Sequence, residues 1–243
     1  MAKEIELSTL RHSTAHVMAE AVLELFPDAQ IAIGPAIENG FYYDFDLPRP
    51  LTDADLETIT KNMRKIINSG REFVRKEVTR EEAKEIFKNQ KYKLELLEAI
   101  PEGETVTTYT QGSFTDLCRG PHVESTKELC ADGFKLLSIA GAYWRGNEKN
   151  KMLTRIYATA WGSKEDLRAY MDHLADIEKR DQRKLGKELD LFSLHEEAGP
   201  GLVYWHPRGA RIRQTIEQFW REEHYKHGYE MVYTPHVGKS GLW

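Results

Sequence analysis

The chain has 243 residues, 40% of them hydrophobic and 30% charged, which is room for one large domain or two modest ones with a real core. A net charge of -5 argues against indiscriminate nucleic-acid binding through bulk charge and leaves any such contact to placed basic residues. No run approaches the ~18 consecutive apolar residues of a membrane span, the start has no apolar signal-peptide core, and two cysteines, Cys118 and Cys130, argue for a reducing cytoplasm over a disulfide framework.

Residues 8 to 26 predict an amphipathic helix, with Leu10, Val17, Ala21, Val22 and Leu25 at helical spacing. Ser8 or Thr9 is its expected cap, and Pro27 lies just past its end. Two β-prone runs follow, Ile31 to Ile33 and Phe41 to Phe45. Asn39-Gly40 between them signals a hairpin, because both residues tolerate positive φ. Thr52 with Asp55 opens a second helix, which Gly70 closes. Phe73 to Val78 reads as a strand, and Thr79 with Glu82 as the capping box of a third helix reaching about Asn89.

From Thr105 to Trp161 short β-prone pieces alternate with glycines: Thr105 to Tyr109, Phe134 to Ile139 and Met152 to Thr159. The expected fold class is therefore α+β, with helices packed on an antiparallel sheet. Ser163 with Asp166 starts a helix to about Lys184 whose mixed charges suit a solvated connector. The expected divisions are a first domain over 1–165, the connector over 166–188 and a second unit over 189–243. That unit offers a strand at Leu202 to Trp205, a helix from about Arg208 to Lys226, Gly228 as its stop, and a strand at Tyr229 to Thr234. Two short strands and one helix enclose no core, so apolar surface is expected to be exposed there.

His12 and His16 stand four apart on the first helix, which puts both imidazoles on one face. Cys118-Arg119-Gly120-Pro121-His122 adds a thiol and a third imidazole on a turn. Three imidazoles and a thiol suit zinc, and they equally suit a metal-free cluster for acid–base or nucleophilic work. Either group read alone is ordinary, since surface histidines and buried cysteines are common. Their pairing on a loop beside Asp116 and Arg119 raises the functional reading.

Several segments resemble, in order and spacing, the threonyl-tRNA synthetases. They are Arg11-His12-Ser13-Thr14-Ala15-His16, Ile33-Gly34-Pro35, Asn39-Gly40-Phe41-Tyr42-Tyr43-Asp44 and Asp116-Leu117-Cys118-Arg119-Gly120-Pro121-His122. To these add Gly141-Ala142-Tyr143-Trp144-Arg145-Gly146, Arg155-Ile156-Tyr157 and Lys179-Arg180-Asp181-Gln182-Arg183-Lys184-Leu185-Gly186. Gly228-Tyr229-Glu230-Met231-Val232-Tyr233-Thr234-Pro235 is similar to the first class II synthetase motif, a dimer-interface helix and strand. The quartet itself is shared with alanyl-type editing domains.

The resemblance implies an editing domain that hydrolyses serine wrongly esterified to threonine tRNA, followed by a connector and the start of a class II catalytic unit. It implies His12, His16, Lys93, Cys118 and His122 as catalytic residues. Asp116 would hold the substrate ammonium, Tyr43 would line the pocket or touch the terminal adenosine, and Arg119 and Arg145 would meet phosphates. An exposed Lys93 is expected to favour a metal-free site, so no metal is assigned; zinc on the quartet, as in the alanyl relatives, competes with that assignment. A structural zinc domain and an inactive module for the tRNA acceptor end are competing readings of the whole domain. The full-length parent would ligate threonine to its tRNA with ATP, magnesium and zinc, as a cytoplasmic homodimer with no membrane association. The small domain that usually precedes the editing domain is not in this sequence, and the later ATP motifs would lie beyond Trp243, so ligation by this chain alone is not expected.

Overall fold

The computed structural model describes residues 5–199, 201–235 and Gly241; residues 1–4, which belong to the start weighed as a signal peptide, lie outside them. The chain divides into two compact units, Met1–Met171 and Asp172–Trp243. In chain order the first holds α1 (Leu7–Leu25), β1 (Gln30–Ile31), β2 (Ala36–Ile37), β3 (Gly40–Asp46), α2 (Asp53–Ser69) and β4 (Val74–Val78). It continues with α3 (Arg80–Ile86), α4 (Lys91–Glu98), β5 (Val106–Gln111), β6 (Phe114–Leu117), β7 (Phe134–Tyr143) and β8 (Met152–Ala160). Helix α5 (Lys164–Lys179) crosses the division. The second unit holds α6 (Gln182–Glu188), β9 (Phe192–Leu194), β10 (Val203–Trp205) and α7 (Pro207–Lys226).

Every sheet is antiparallel, as the α+β expectation requires. The large sheet runs β1-β3-β8-β7 with β2 also on β3, and β4-β5-β6 form a second sheet. Strand β3 turns its aromatic rings to one face: Phe41, Tyr43 and Phe45 are fully buried among residues that include Ile31, Ile156 and Val17. Burying each such ring stabilises the fold by about 1.5–3 kcal/mol. On the opposite face Asp44 takes both forks of Arg155, at 2.7 and 2.9 Å, and that guanidinium stacks 3.8 Å from the Tyr42 ring.

Helix α1 differs from the amphipathic reading. Leu10, Arg11 and every residue from Ser13 to Val22 are buried, because α2, β2, β3, β6 and β8 all pack around it. Small side chains at Ala15, Ala19 and Ala21 allow that approach from several sides. Neither Ser8 nor Thr9 caps the helix; Glu6 takes the cap position without a side-chain bond. Arg11 ties the helix to the sheet by donating to the carbonyls of Ala160 (3.3 Å) and Glu38 (2.5 Å).

Local signals elsewhere act as expected. Thr52 and Asp55 form a reciprocal capping box, Gly70 ends α2 at φ 68°, and Thr79 with Glu82 repeats the box at α3. The Asn39-Gly40 hairpin forms between β2 and β3, but neither residue takes positive φ. Glycine is needed at position 40 for another reason: a Cβ there would stand 2.2 Å from the Ala158 carbonyl oxygen.

Two further expectations fail, and one helix was missed. The charged helix is two helices, because Asp181 caps a new start at α6 after α5 ends at Lys179. Tyr229 to Thr234 is not a strand among the described residues, and it pairs with no described neighbour. Helix α4 was not anticipated at all, since Gln90 gives it no side-chain cap. In the second unit β9 and β10 form a hairpin, and large apolar side chains such as Ile216, Phe219 and Trp220 are exposed on α7, as expected. No described helix is long and apolar enough to cross a membrane.

Candidate active site

Two elements bring the quartet together. His12 and His16 face the same way from α1, and the loop after β6 carries Cys118 and His122 against them. One ligand atom from each of the four lies within 4.8 Å of the others. Cys118 Sγ is 3.4 Å from His12 Nε2 and 3.2 Å from His122 Nε2, and it accepts the Gly120 N–H at 3.2 Å. The His122 ring stacks on Phe73 with centroids 5.0 Å apart.

A polar clamp holds these elements in register. Glu20, two turns beyond His12 on α1 and itself buried, accepts from Arg71, from Gln111 Nε2 (3.1 Å) and from Ser113 Oγ (3.3 Å). Gln111 ends β5 and Ser113 lies in the turn to β6, the hairpin that delivers Asp116 and Cys118. The carboxylate thus fixes where that hairpin sits against α1, with charge-assisted bonds stronger than neutral ones.

Burial sets the protonation of the cluster. Desolvation lowers the pKa of His12, with Lys93 adding to the effect, while Asp116 and a hydrogen bond to the Pro121 backbone oppose it. His16 is lowered further, by burial and then by His12 and Lys93; His122 is lowered by burial and then by the other two imidazoles. The Cys118 thiol is pushed up to about 12, chiefly by burial. At neutral pH the site therefore holds three neutral imidazoles and a thiol.

Beside the quartet lies a buried charge pair. Lys93, on α4, places Nζ 2.5 Å from Asp116 Oδ1 and 3.1 Å from the Tyr43 hydroxyl. That hydroxyl donates to Asp116 Oδ2 at 2.5 Å, and His16 Nε2 approaches the same oxygen at 3.5 Å. Lys93 is 2% exposed, which corrects the expectation of an exposed lysine: Asp116 compensates its charge in the interior. Asp116 already holds this ammonium. Tyr43 is fully buried and buttresses the pair from beneath, so it does not stand at the pocket lip to meet an adenosine.

A cleft of about 520 Å³ opens over His12, His16, Lys93, Asp116 and Cys118. Arg119 stands on its rim, mostly exposed, paired with Glu104 at 2.6 Å. Arg145 is not among the cleft's lining residues; it donates to the Glu95 carbonyl at 3.0 Å. A larger groove of about 830 Å³, with Lys61, Lys65, Lys135 and Lys164 around Phe134, contains none of these groups. Sequence reasoning missed Ser13, Glu20 and Gly34. Ser13 and Gly34 sit inside the segments that carry the family resemblance, and their small size was the available signal.

The donor set fits zinc: three nitrogens and one sulfur converge, and His16 Nδ1 is buried without a hydrogen-bond partner.

Residues 106–157 match the family described as threonyl and alanyl tRNA synthetase second additional domain. The chain is 56% identical over 241 residues to the threonine–tRNA ligase of Borrelia recurrentis (strain A1), covering 99% of this chain and 41% of the relative. It is 55% identical over 241 residues to those of Borrelia turicatae (strain 91E135) and Borreliella burgdorferi (strain ZS7), covering 41% and 42% of them. The chain thus spans about two fifths of the length of these relatives, and from end to end it matches one segment of the threonine–tRNA ligase family that includes the second additional domain.

Proposed function

We propose that the first unit hydrolyses serine esterified to threonine tRNA. The observation that carries this reading is the cleft that opens over His12, His16 and Cys118 beside the Lys93–Asp116 pair, with His122 completing the cluster behind them. Ester hydrolysis needs a base for water, donors for the tetrahedral oxyanion, and an acid for the leaving ribose hydroxyl. His12, kept neutral by burial, is a ready acceptor for a water proton. Lys93 supplies a fixed positive charge for the oxyanion, and Asp116 keeps that charge in place, sharing itself with the substrate ammonium if both bind. His16 lines the pocket, and His122 backs Cys118 from behind it. A thiol raised to about 12 is a poor nucleophile at neutral pH, which favours direct attack by water over an acyl-enzyme.

The biological need is physical. Serine is threonine minus a methyl, and a synthetic pocket gains only about 1–3 kcal/mol from such a group. A second site that admits the smaller residue supplies the missing selectivity.

Zinc on His12, His16, Cys118 and His122 would polarise water directly. We favour the metal-free route because Lys93, held by Asp116 beside the cluster, offers a donor for the oxyanion without a metal. Stoichiometric zinc in the purified chain would reverse this choice.

The same reading extends to domains 1–165, 166–188 and 189–243 as editing domain, connector and start of a class II catalytic unit. A longer parent would ligate threonine to its tRNA with ATP and magnesium, as a homodimer in the cytoplasm; Arg119 would meet the acceptor-end phosphates. The decisive assay offers seryl-tRNA and threonyl-tRNA to the purified chain. Selective loss of the seryl ester is expected, and equal persistence of both esters sinks the proposal.

A further inference from the structure

We propose that Ser13 is a positioning residue that holds His122 as its Nδ1–H tautomer, so that the bare Nε2 accepts a hydrogen bond from the Cys118 thiol. The argument is a count of protons. The Ser13 hydroxyl has one hydrogen and three polar neighbours: the Thr9 carbonyl oxygen at 2.8 Å, His122 Nδ1 at 3.1 Å and the Val123 N–H, which donates to it at 3.1 Å. Two oxygens 2.8 Å apart with no hydrogen between them repel, so the serine proton lies on the Thr9 contact. The Val123 N–H fills one lone pair of the hydroxyl. The remaining contact then requires a hydrogen on His122 Nδ1, pointing at the second lone pair.

A neutral imidazole carries one proton, so Nε2 of His122 is a bare acceptor. It faces Cys118 Sγ at 3.2 Å. His12 Nε2 faces the same sulfur at 3.4 Å, and the thiol has a single proton to give. With His122 fixed as acceptor at the shorter distance, the S–H points there, and His12 Nε2 is left outside that bond. One buried hydroxyl therefore decides which of two imidazoles accepts from the thiol. The same serine also ties the His122 loop to α1 through Val123, so orientation and tautomer are set together. The catalytic consequence rests on the ester-hydrolysis reading; the proton assignment does not.

The test uses the full chain, labelled with ¹⁵N-histidine and freed of metal by chelator, with two-bond ¹H–¹⁵N spectra at neutral pH. An added ¹³C label links each ring to its own backbone amide and assigns His122 in the wild type. A protonated Nδ1 and bare Nε2 are expected, and a protonated Nε2 in the wild type overturns the proposal, whether or not any variant folds. In Ser13→Ala the His122 pattern is expected to move toward the other tautomer, while Ser13→Thr keeps it; an unchanged pattern in folded Ser13→Ala overturns the role of the serine. On seryl-tRNA, Ser13→Ala is expected to lower kcat about tenfold with KM little changed, and Ser13→Thr to restore most of it. A wild type inactive on the seryl ester counts against the proposed function, while the His122 spectrum still decides the proton assignment.

Discussion

Lys93 Nζ lies 2.5 Å from Asp116 Oδ1, with both side chains almost wholly shut off from water. Their contact joins α4 to β6, two elements that no local signal relates. Removing one partner leaves a buried charge alone, which typically costs about 3–5 kcal/mol. Asp116→Ala and Lys93→Ala are each expected to lose that much in urea unfolding. The Lys93→Met/Asp116→Leu double variant is expected to recover most of it. Simple additivity of the two single losses would show that the pair is not coupled.

The proposed chemistry gives His12 and Lys93 the largest effects. His12→Ala is expected to lower seryl-tRNA hydrolysis by about 10²-fold or more, the usual range for a lost general base. Lys93→Ala is expected to act through kcat, after its folding has been checked by circular dichroism. Full activity in either folded variant would remove that residue from the mechanism.

Cys118 should be chemically quiet. Burial pushes its thiol up to about 12, so few molecules carry a thiolate at pH 8. Alkylation by iodoacetamide at this position, followed by mass spectrometry of the peptide, is expected to be slow. Cys118→Ser is expected to retain hydrolysis within about tenfold. Rapid alkylation in the folded chain would restore the covalent route.

Acid should weaken the metal-free fold. His12, His16 and His122 all have folded pKa values below their ordinary value. Unfolded imidazoles take up protons near pH 6.5, so below that pH the unfolded state binds more protons than the folded one. Stability is therefore full above about pH 7 and is lost as pH falls below about 6.5, by up to about 1.4 kcal/mol per imidazole per pH unit. Urea unfolding in chelator at pH 7.5 and 5.5 measures this. Equal midpoints and slopes at the two values would contradict it.

Gly34 has a steric role. A Cβ there would stand 2.0 Å from a ring carbon of Tyr43, the residue whose hydroxyl holds Asp116. Gly34→Ala is expected to cost about 1–3 kcal/mol through overpacking. It should also lower hydrolysis by shifting the Tyr43–Asp116 bond. An alanine variant as stable as wild type would show that the ring has room to move.

Much of this was readable where the controlling contacts are local. The boxes at Thr52 and Thr79 and the glycine at Gly70 act within one helical turn, so their residue types suffice. His12 and His16 share a face by helix geometry alone, and the Cys118–His122 spacing fits a turn. That the two pairs meet was not readable from spacing, because it depends on Glu20, Arg71 and Gln111 meeting across distant parts of the chain. Lys93 looked exposed for the same reason: its partners lie on β6 and β3. Tyr229 to Thr234 has strand composition, but composition supplies no partner strand.

Helix α1 carries two of the four cluster residues and is buried continuously from Ser13 to Val22. Its amides from Ser13 to Val22 belong to buried residues packed against the surrounding sheet and α2. Their hydrogen exchange should therefore track global unfolding, with no separate local opening. Site and scaffold then form one cooperative unit: the imidazoles stay pre-organised for as long as the unit is folded. Activity should thus report folding, and a destabilising change anywhere in the core should appear first as a lowered temperature of half-inactivation.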